Sequence, residues 1–174
     1  MPCHRISPRP AGRFRGGKYS IYEGGTRTPF ITCWPDTIAP GVSDKMVCTI
    51  DLAASMAALA GQPLPENACP DSFNVLPALL GNKAAKGRDH LLQQPNRGPT
   101  LALRVGNWKV LSYANARPIK ALTYQKGPGR FELYDLAKDP GEKQNLAKQH
   151  PEKLKAMLER LEAIKRAGRS RPRA

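Results

Sequence analysis

The run from Gly16 to Ile31, Gly-Gly-Lys-Tyr-Ser-Ile-Tyr-Glu-Gly-Gly-Thr-Arg-Thr-Pro-Phe-Ile, constrains this chain more than any other stretch. Gly16, Gly17, Gly24 and Gly25 bracket one lysine, Lys18. Glycines admit backbone shapes closed to other residues and let a main chain approach a ligand closely. A lysine between them is a point charge suited to a small oxyanion. The spacing is not that of a phosphate-binding P-loop, because no Ser or Thr follows the lysine directly, and it is not G-x-G-x-x-G either. From the residues alone two readings stand: an anion-binding loop, or a flexible turn with a solvated lysine.

The chain has 174 residues, enough for one domain with a real core. Its net charge is +14, from 28 basic and 14 acidic residues, and the excess sits at the ends. Arg5, Arg9, Arg13, Arg15 and Lys18 precede any acid, and Lys165, Arg166, Arg169, Arg171 and Arg173 close the chain. Setting those ten aside leaves +4 on residues 19–164. Such ends read as solvated and disordered, or as a polyanion-binding device. Nucleic acid is not expected, since no DNA- or RNA-binding motif accompanies the charge.

Cys3, Cys33, Cys48 and Cys69 form no C-x-x-C pair, so a zinc site is not expected. Cys33 and Cys48 lie in or beside apolar runs and read as buried free thiols. Cys69, flanked by Pro65 and Pro70, is the one placed to pair in an oxidising compartment. No run of 18 apolar residues occurs, so no membrane-spanning helix is expected. The N-terminal residues have no apolar signal-peptide core.

Local signals lay out the elements. Residues 1–15 are rich in Arg and Pro and read as disordered, with order beginning at Gly16. Residues 29–34 form a short apolar run, expected to be a buried strand. Residues 51–60 read as a helix with Asp51 as N-cap, an apolar face of Leu52, Met56, Leu59 and Ala60, and Gly61 beyond its end. A shorter helix over 75–80 stops at Gly81. Leu91 and Leu92 suggest a short strand. Residues 100–104 and 109–113 flank Gly106-Asn107 and read as an antiparallel hairpin. Residues 114–130 read as a loop and 131–136 as a further strand. The last helix starts at Pro151, carries the stripe Leu154, Met157, Leu158, Leu161 and Ile164, and stops at Gly168. That stripe is expected to cover one face of the small sheet. The layout is α+β: a basic segment 1–15, a strand–helix piece 16–82, a subdomain 83–167 and a basic tail 168–174.

Gly17-Lys18, Tyr22-Glu23-Gly24-Gly25, Arg27 and Pro29-Phe30-Ile31 together resemble a late segment of the sulfatase family, the arylsulfatase-type enzymes of the alkaline-phosphatase-like superfamily. Trp34-Pro35-Asp36-Thr37-Ile38-Ala39-Pro40-Gly41-Val42-Ser43-Asp44 is similar to the family's next segment. Thr49-Ile50-Asp51-Leu52, Ala57-Ala58-Leu59-Ala60-Gly61, Leu133-Tyr134-Asp135-Leu136 and Asp139-Pro140-Gly141-Glu142 continue the match in order. The resemblance implies the end of an alkaline-phosphatase-like α/β domain, followed by a C-terminal subdomain of antiparallel sheet and helix. It also suggests a periplasmic or secreted setting.

Full-length members, the resemblance implies, use calcium and a formylglycine made from Cys/Ser-x-Pro-x-Arg. Neither is expected from this chain. None of the four cysteines starts that motif, and Ser7-Pro8-Arg9 lacks the residue two places before the proline. No acidic residue precedes Glu23, so the calcium-binding acidic pairs are missing. One site residue carries over: Lys18 matches the family's sulfate-contacting lysine. Glu23 and Arg27 are expected to shape the loop, and Asp135, Asp139 and Glu142 to form a structural turn. His4, His90 and His150 are scattered and imply no base–nucleophile pair. The expectation is a C-terminal sulfatase fragment without catalytic or metal residues, inactive alone, which meets a sulfate-ester substrate only if an N-terminal part completes the site. Exposed apolar surface is expected where that part would pack. The alternative is a non-catalytic polyanion-binding module built on the basic ends.

Overall fold

The computed structural model describes residues 11–96, 98–113 and 131–173. Its helices are α1 (Glu23–Thr26), α2 (Leu52–Leu59), α3 (Leu76–Leu79) and α4 (Pro151–Ala167). Its strands are β1 (His90–Gln93), β2 (Leu101–Val105), β3 (Trp108–Ser112) and β4 (Phe131–Asp135). A 3-10 turn, Thr49–Asp51, leads into α2. The chain divides into two compact units, one made of residues up to 28 with 93–158, the other of 29–92 with 159–174.

The strands lie in one sheet in the order β1-β2-β3-β4. The β2–β3 hairpin closes with Val105 opposite Trp108, leaving Gly106-Asn107 as its two-residue turn. Gly106 supplies the positive φ, +57°, that such turns require. In the first unit the register sorts side chains by face. Ala102, Arg104, Lys109, Leu111, Glu132 and Tyr134 share one face, and Leu103, Val110 and Leu133 share the other. Ile21, Tyr22, Ala102, Leu111, Tyr113, Tyr134 and Leu136 form the hydrophobic cluster. Leu103, Val110 and Leu133 are fully buried.

Residues before β2 thus complete a core formed mostly by the hairpin and β4. Arg15 already donates to Tyr134 Oη and to the Glu142 carbonyl, so the folded chain includes a residue that reads as disordered in sequence. At the start of α4 the His150 ring meets Trp108 edge-on, with centroids 5.4 Å apart. The α4 stripe follows the periodicity: Met157 and Leu161 are buried, and Leu154, Leu158 and Ile164 are half-buried.

The second unit departs from its sequence pattern. Residues 29–34 are not a strand, and Phe30, Ile31 (88% exposed) and Trp34 face solvent. A strand exists only through ladder bonds to a neighbour. Among the described residues, none flanks this run. The apolar face of α2 is likewise turned outward: Leu52, Met56, Leu59 and Ala60 are exposed, while Ala54 and Ser55 are buried. Ser55 Oγ accepts from Val75 N–H and Ser72 Oγ accepts from Ala54 N–H, so the side facing inward is small and polar.

Asp51 precedes α2 but does not cap it. Its carboxylate, fully buried, accepts from Cys48 N–H, Phe73 N–H and the Arg88 guanidinium. Cys33 and Cys69 are exposed and Cys48 is half-buried, all as free thiols; Cys33 lies in a run that faces solvent and Cys48 beside one that is only half-buried. Residues 168–173 are not a solvated tail. Arg171 N–H bonds the Pro70 carbonyl, and Ser170 N–H bonds Asp71 Oδ1.

Candidate functional site

The glycines of residues 16–25 fold the loop onto itself. Gly24 N–H donates to Arg15 O at 2.7 Å, and Ser20 N–H to Gly17 O at 2.9 Å. A Cβ at Gly24 would stand 2.6 Å from Arg15 O, and one at Gly25 2.3 Å from Ser20 O. Both are closer than any side-chain carbon tolerates, so the second glycine pair is what allows the first to close over it. Gly16 (φ +80°) and Tyr19 (φ +73°) turn the chain on either side of Lys18. Lys18 is exposed, with Nζ 4.9 Å from the Tyr19 ring centroid.

Below the loop lies a buried charge network that the sequence did not reveal. Lys109, on β3 and fully buried, donates to Ile21 O at 2.8 Å and to Glu23 Oε1 at 3.0 Å. Its Nζ also lies 2.9 Å from Glu142 Oε1. Glu142 Oε2 in turn accepts from Glu23 N–H at 2.7 Å. Beside this triad, Glu132 Oε2 accepts from Tyr22 Oη and Tyr134 Oη, and Tyr22 Oη meets Tyr113 Oη at 3.0 Å. The Arg15 guanidinium lies 3.8 Å from the Tyr22 ring centroid.

One ammonium cannot offset two buried carboxylates equally. Burial pushes Glu23 up, but Lys109, Arg104 and Arg27 outweigh it and hold the carboxyl below its usual range. Burial pushes Glu142 up further than Lys109 can bring it down, and it titrates high. Burial first, and the neighbouring Glu132 charge, raise Tyr22, Tyr113 and Tyr134, so these phenols stay protonated as donors.

Arg27 pairs with Glu23 through Nε at 3.1 Å, in keeping with a loop-shaping role for both. Asp139 Oδ2 accepts from Lys143 N–H and Gln144 N–H, and Asp135 Oδ1 from Ala137 N–H, so these carboxylates serve a turn. Among the described residues no group of three or more His, Cys, Asp or Glu could hold a metal ion. The carboxylate nearest Lys18 in sequence, Glu23, is spent on Lys109, Arg27 and Arg104, so it does not fit a calcium site. His90 Nδ1 lies 2.6 Å from Asp89 Oδ1 and its ring abuts Phe73, while His150 abuts Trp108. His4 falls outside the described residues. What the loop offers chemically is a presented cation on a fixed support.

Comparison with known proteins places this geometry. Residues 16–167 match the model of the N-sulphoglucosamine sulphohydrolase C-terminal family. The N-acetylgalactosamine-6-O-sulfatase of Bacteroides thetaiotaomicron is 47% identical over 158 residues, covering 90% of this chain and 30% of that protein. Human arylsulfatase A is 38% identical over 176 residues, covering 89% of this chain and 33% of its own. A solved structure described under the metabolism of multiple glycosaminoglycans by Bacteroides thetaiotaomicron superposes with a TM-score of 0.79 at 44% identity, over 88% of this chain and 32% of that one. The chain spans about a third of the length of the relatives it matches. No described helix is long and apolar enough to cross a membrane. With the glycine loop, the antiparallel sheet and these matches in agreement, the chain belongs to the sulfatase family, of which it carries a C-terminal portion.

Proposed function

We propose that this chain supplies the C-terminal part of a sulfuric ester hydrolase and that Lys18 is its contribution to the substrate pocket, contacting the sulfate group. The observation that carries the reading is the exposed Lys18 on a self-closed loop anchored to a buried ion network. A cation held in place before the reaction stabilises developing negative charge without reorganising. The chain provides neither the formylglycine motif nor a carboxylate set fit for calcium, so it binds and orients but does not hydrolyse alone. Calcium and the nucleophile come from the N-terminal part of a complete enzyme, where they supply charge stabilisation and the attacking group.

Outward-facing Phe30, Ile31, Trp34, Ile50, Leu52, Met56 and Leu59 support the same reading. They form the kind of apolar surface that a larger α/β body would cover. The names of the Bacteroides relative and of the matching family model suggest a sulfated amino sugar as the substrate class.

A chimera tests this: residues 16–167 replace the matching segment of the Bacteroides thetaiotaomicron N-acetylgalactosamine-6-O-sulfatase, and release of sulfate from N-acetylgalactosamine-6-sulfate is followed. The chimera is expected to turn over, and Lys18→Ala to lower kcat by about 10²–10³. An unchanged kcat in that variant would remove Lys18 from the site. Turnover by the isolated chain with calcium would refute its dependence on an N-terminal part.

A further inference from the structure

We propose that the end of α4 and the segment after it form a second anion site, away from the Lys18 loop in sequence, that holds a stretch of sulfated polysaccharide. Arg160, Arg166, Arg169, Arg171 and Arg173 line one open cavity of about 530 Å³. That is the size of a small-ligand site. No acidic or aromatic side chain lines it.

The arginines divide by what already holds them. Arg171 donates to the carbonyls of Pro65, Glu66 and Ala68, and Arg169 to those of Glu66 and Arg171. These two fix the wall of the cavity. Arg171 keeps a buried Nε with no partner, a donor still to be satisfied. Arg160 bonds Asp89, and Arg173, 79% exposed, is 3.8 Å from Glu66. Arg166 is exposed and no hydrogen bond or ion pair holds it among the described residues.

Five guanidinium groups thus meet three nearby carboxylates, Asp89, Glu66 and Asp71, the last of which accepts from Ser170 N–H. The C-terminal end of a helix adds only about half a negative charge, so the cavity remains cationic. Guanidinium forks match the planar faces of oxyanions and resist proton loss. Single-stranded nucleic acid is held largely by stacking on aromatic rings, which the lining lacks. Sulfate groups need only the forks. The choice of sulfated polysaccharide rests on the sulfatase reading; the cationic cavity does not.

The test uses the full chain and a fluorescein-labelled heparin octasaccharide, with binding read by fluorescence anisotropy at about 50 mM salt and again at higher salt. Arg166→Ala with Arg173→Ala is expected to weaken binding about tenfold and to flatten the salt dependence. Both side chains are exposed and hold no buried group, so the fold is expected to survive, as circular dichroism would confirm. Arg5→Ala with Arg9→Ala is expected to leave affinity within about threefold. Equal losses in the Arg166/Arg173 and Arg5/Arg9 pairs would show diffuse charge attraction and overturn the site. Loss confined to Lys18→Ala would also overturn it while leaving the sulfate-loop reading intact. Tighter binding of a single-stranded DNA oligonucleotide of equal charge would assign the cavity to nucleic acid instead.

Discussion

Lys109 shows most directly how a single side chain governs this molecule. It is fully buried between Glu23 and Glu142, and it also ties down Ile21 O, so it grips the chain immediately before α1. Removing one member of a buried ion set leaves uncompensated charge and costs about 3–5 kcal/mol. Lys109→Met is therefore expected to lower unfolding free energy by about that amount in urea titrations. Adding Glu142→Gln to it is expected to restore part of the loss, because one of the stranded charges is gone. Glu142 also sets a pH signature. Its folded pKa is raised, so its stabilising share is complete below its unfolded pKa and is lost as pH rises through the folded one. Glu23, with its folded pKa lowered, does the opposite: its share is present above the unfolded value and lost toward acid. Just above the ordinary glutamate range, of about pH 4.3, Glu142→Gln is expected to make the slope of unfolding free energy against pH more positive than in the wild type. An unchanged slope would mean that Glu142 is not the group holding its proton.

At the scale of elements, the glycine loop and the hairpin were legible and the buried polar face was not. Gly106-Asn107 between two apolar runs is a local signal, and the β2–β3 turn falls on it. The α4 stripe was readable for the same reason, since helical periodicity survives whatever the partner. Lys109 and Glu132 could not be recognised as interior. Each is a charged residue in a strand whose face only the register identifies, and Glu23 and Tyr22, with which they bond, lie far off in sequence. For the loop, the structure adds the reason for its second glycine pair. Gly25→Ala would drive a carbon into Ser20 O, and the expected cost is about 1–3 kcal/mol with lower Tm in thermal unfolding. Gly17→Ala, whose Cβ meets nothing within 4 Å, is expected to be mild by comparison.

At the scale of the whole molecule, the apolar patch on the second unit sets behaviour in solution. Leu52, Met56 and Leu59 stand exposed on α2, and Ile31 and Trp34 are exposed in the same unit. Replacing Met56 and Leu59 by Glu is expected to change the stability of the isolated chain by less than about 0.5 kcal/mol each. The same pair is expected to reduce concentration-dependent light scattering, because apolar patches of this kind drive self-association. A large stability loss would show instead that the face is packed in the isolated chain. By itself the sequence determined the elements whose signals are local: the turn at Gly106-Asn107, the stripe of α4, the closing glycines around Lys18, and the ordered motifs that mark the family. Only the tertiary structure decided which charges are interior and which apolar residues stay out. Burial depends on the surface that meets a residue, and neither the register that buries Lys109 nor the lack, among the described residues, of a strand beside residues 29–34 is written at those positions.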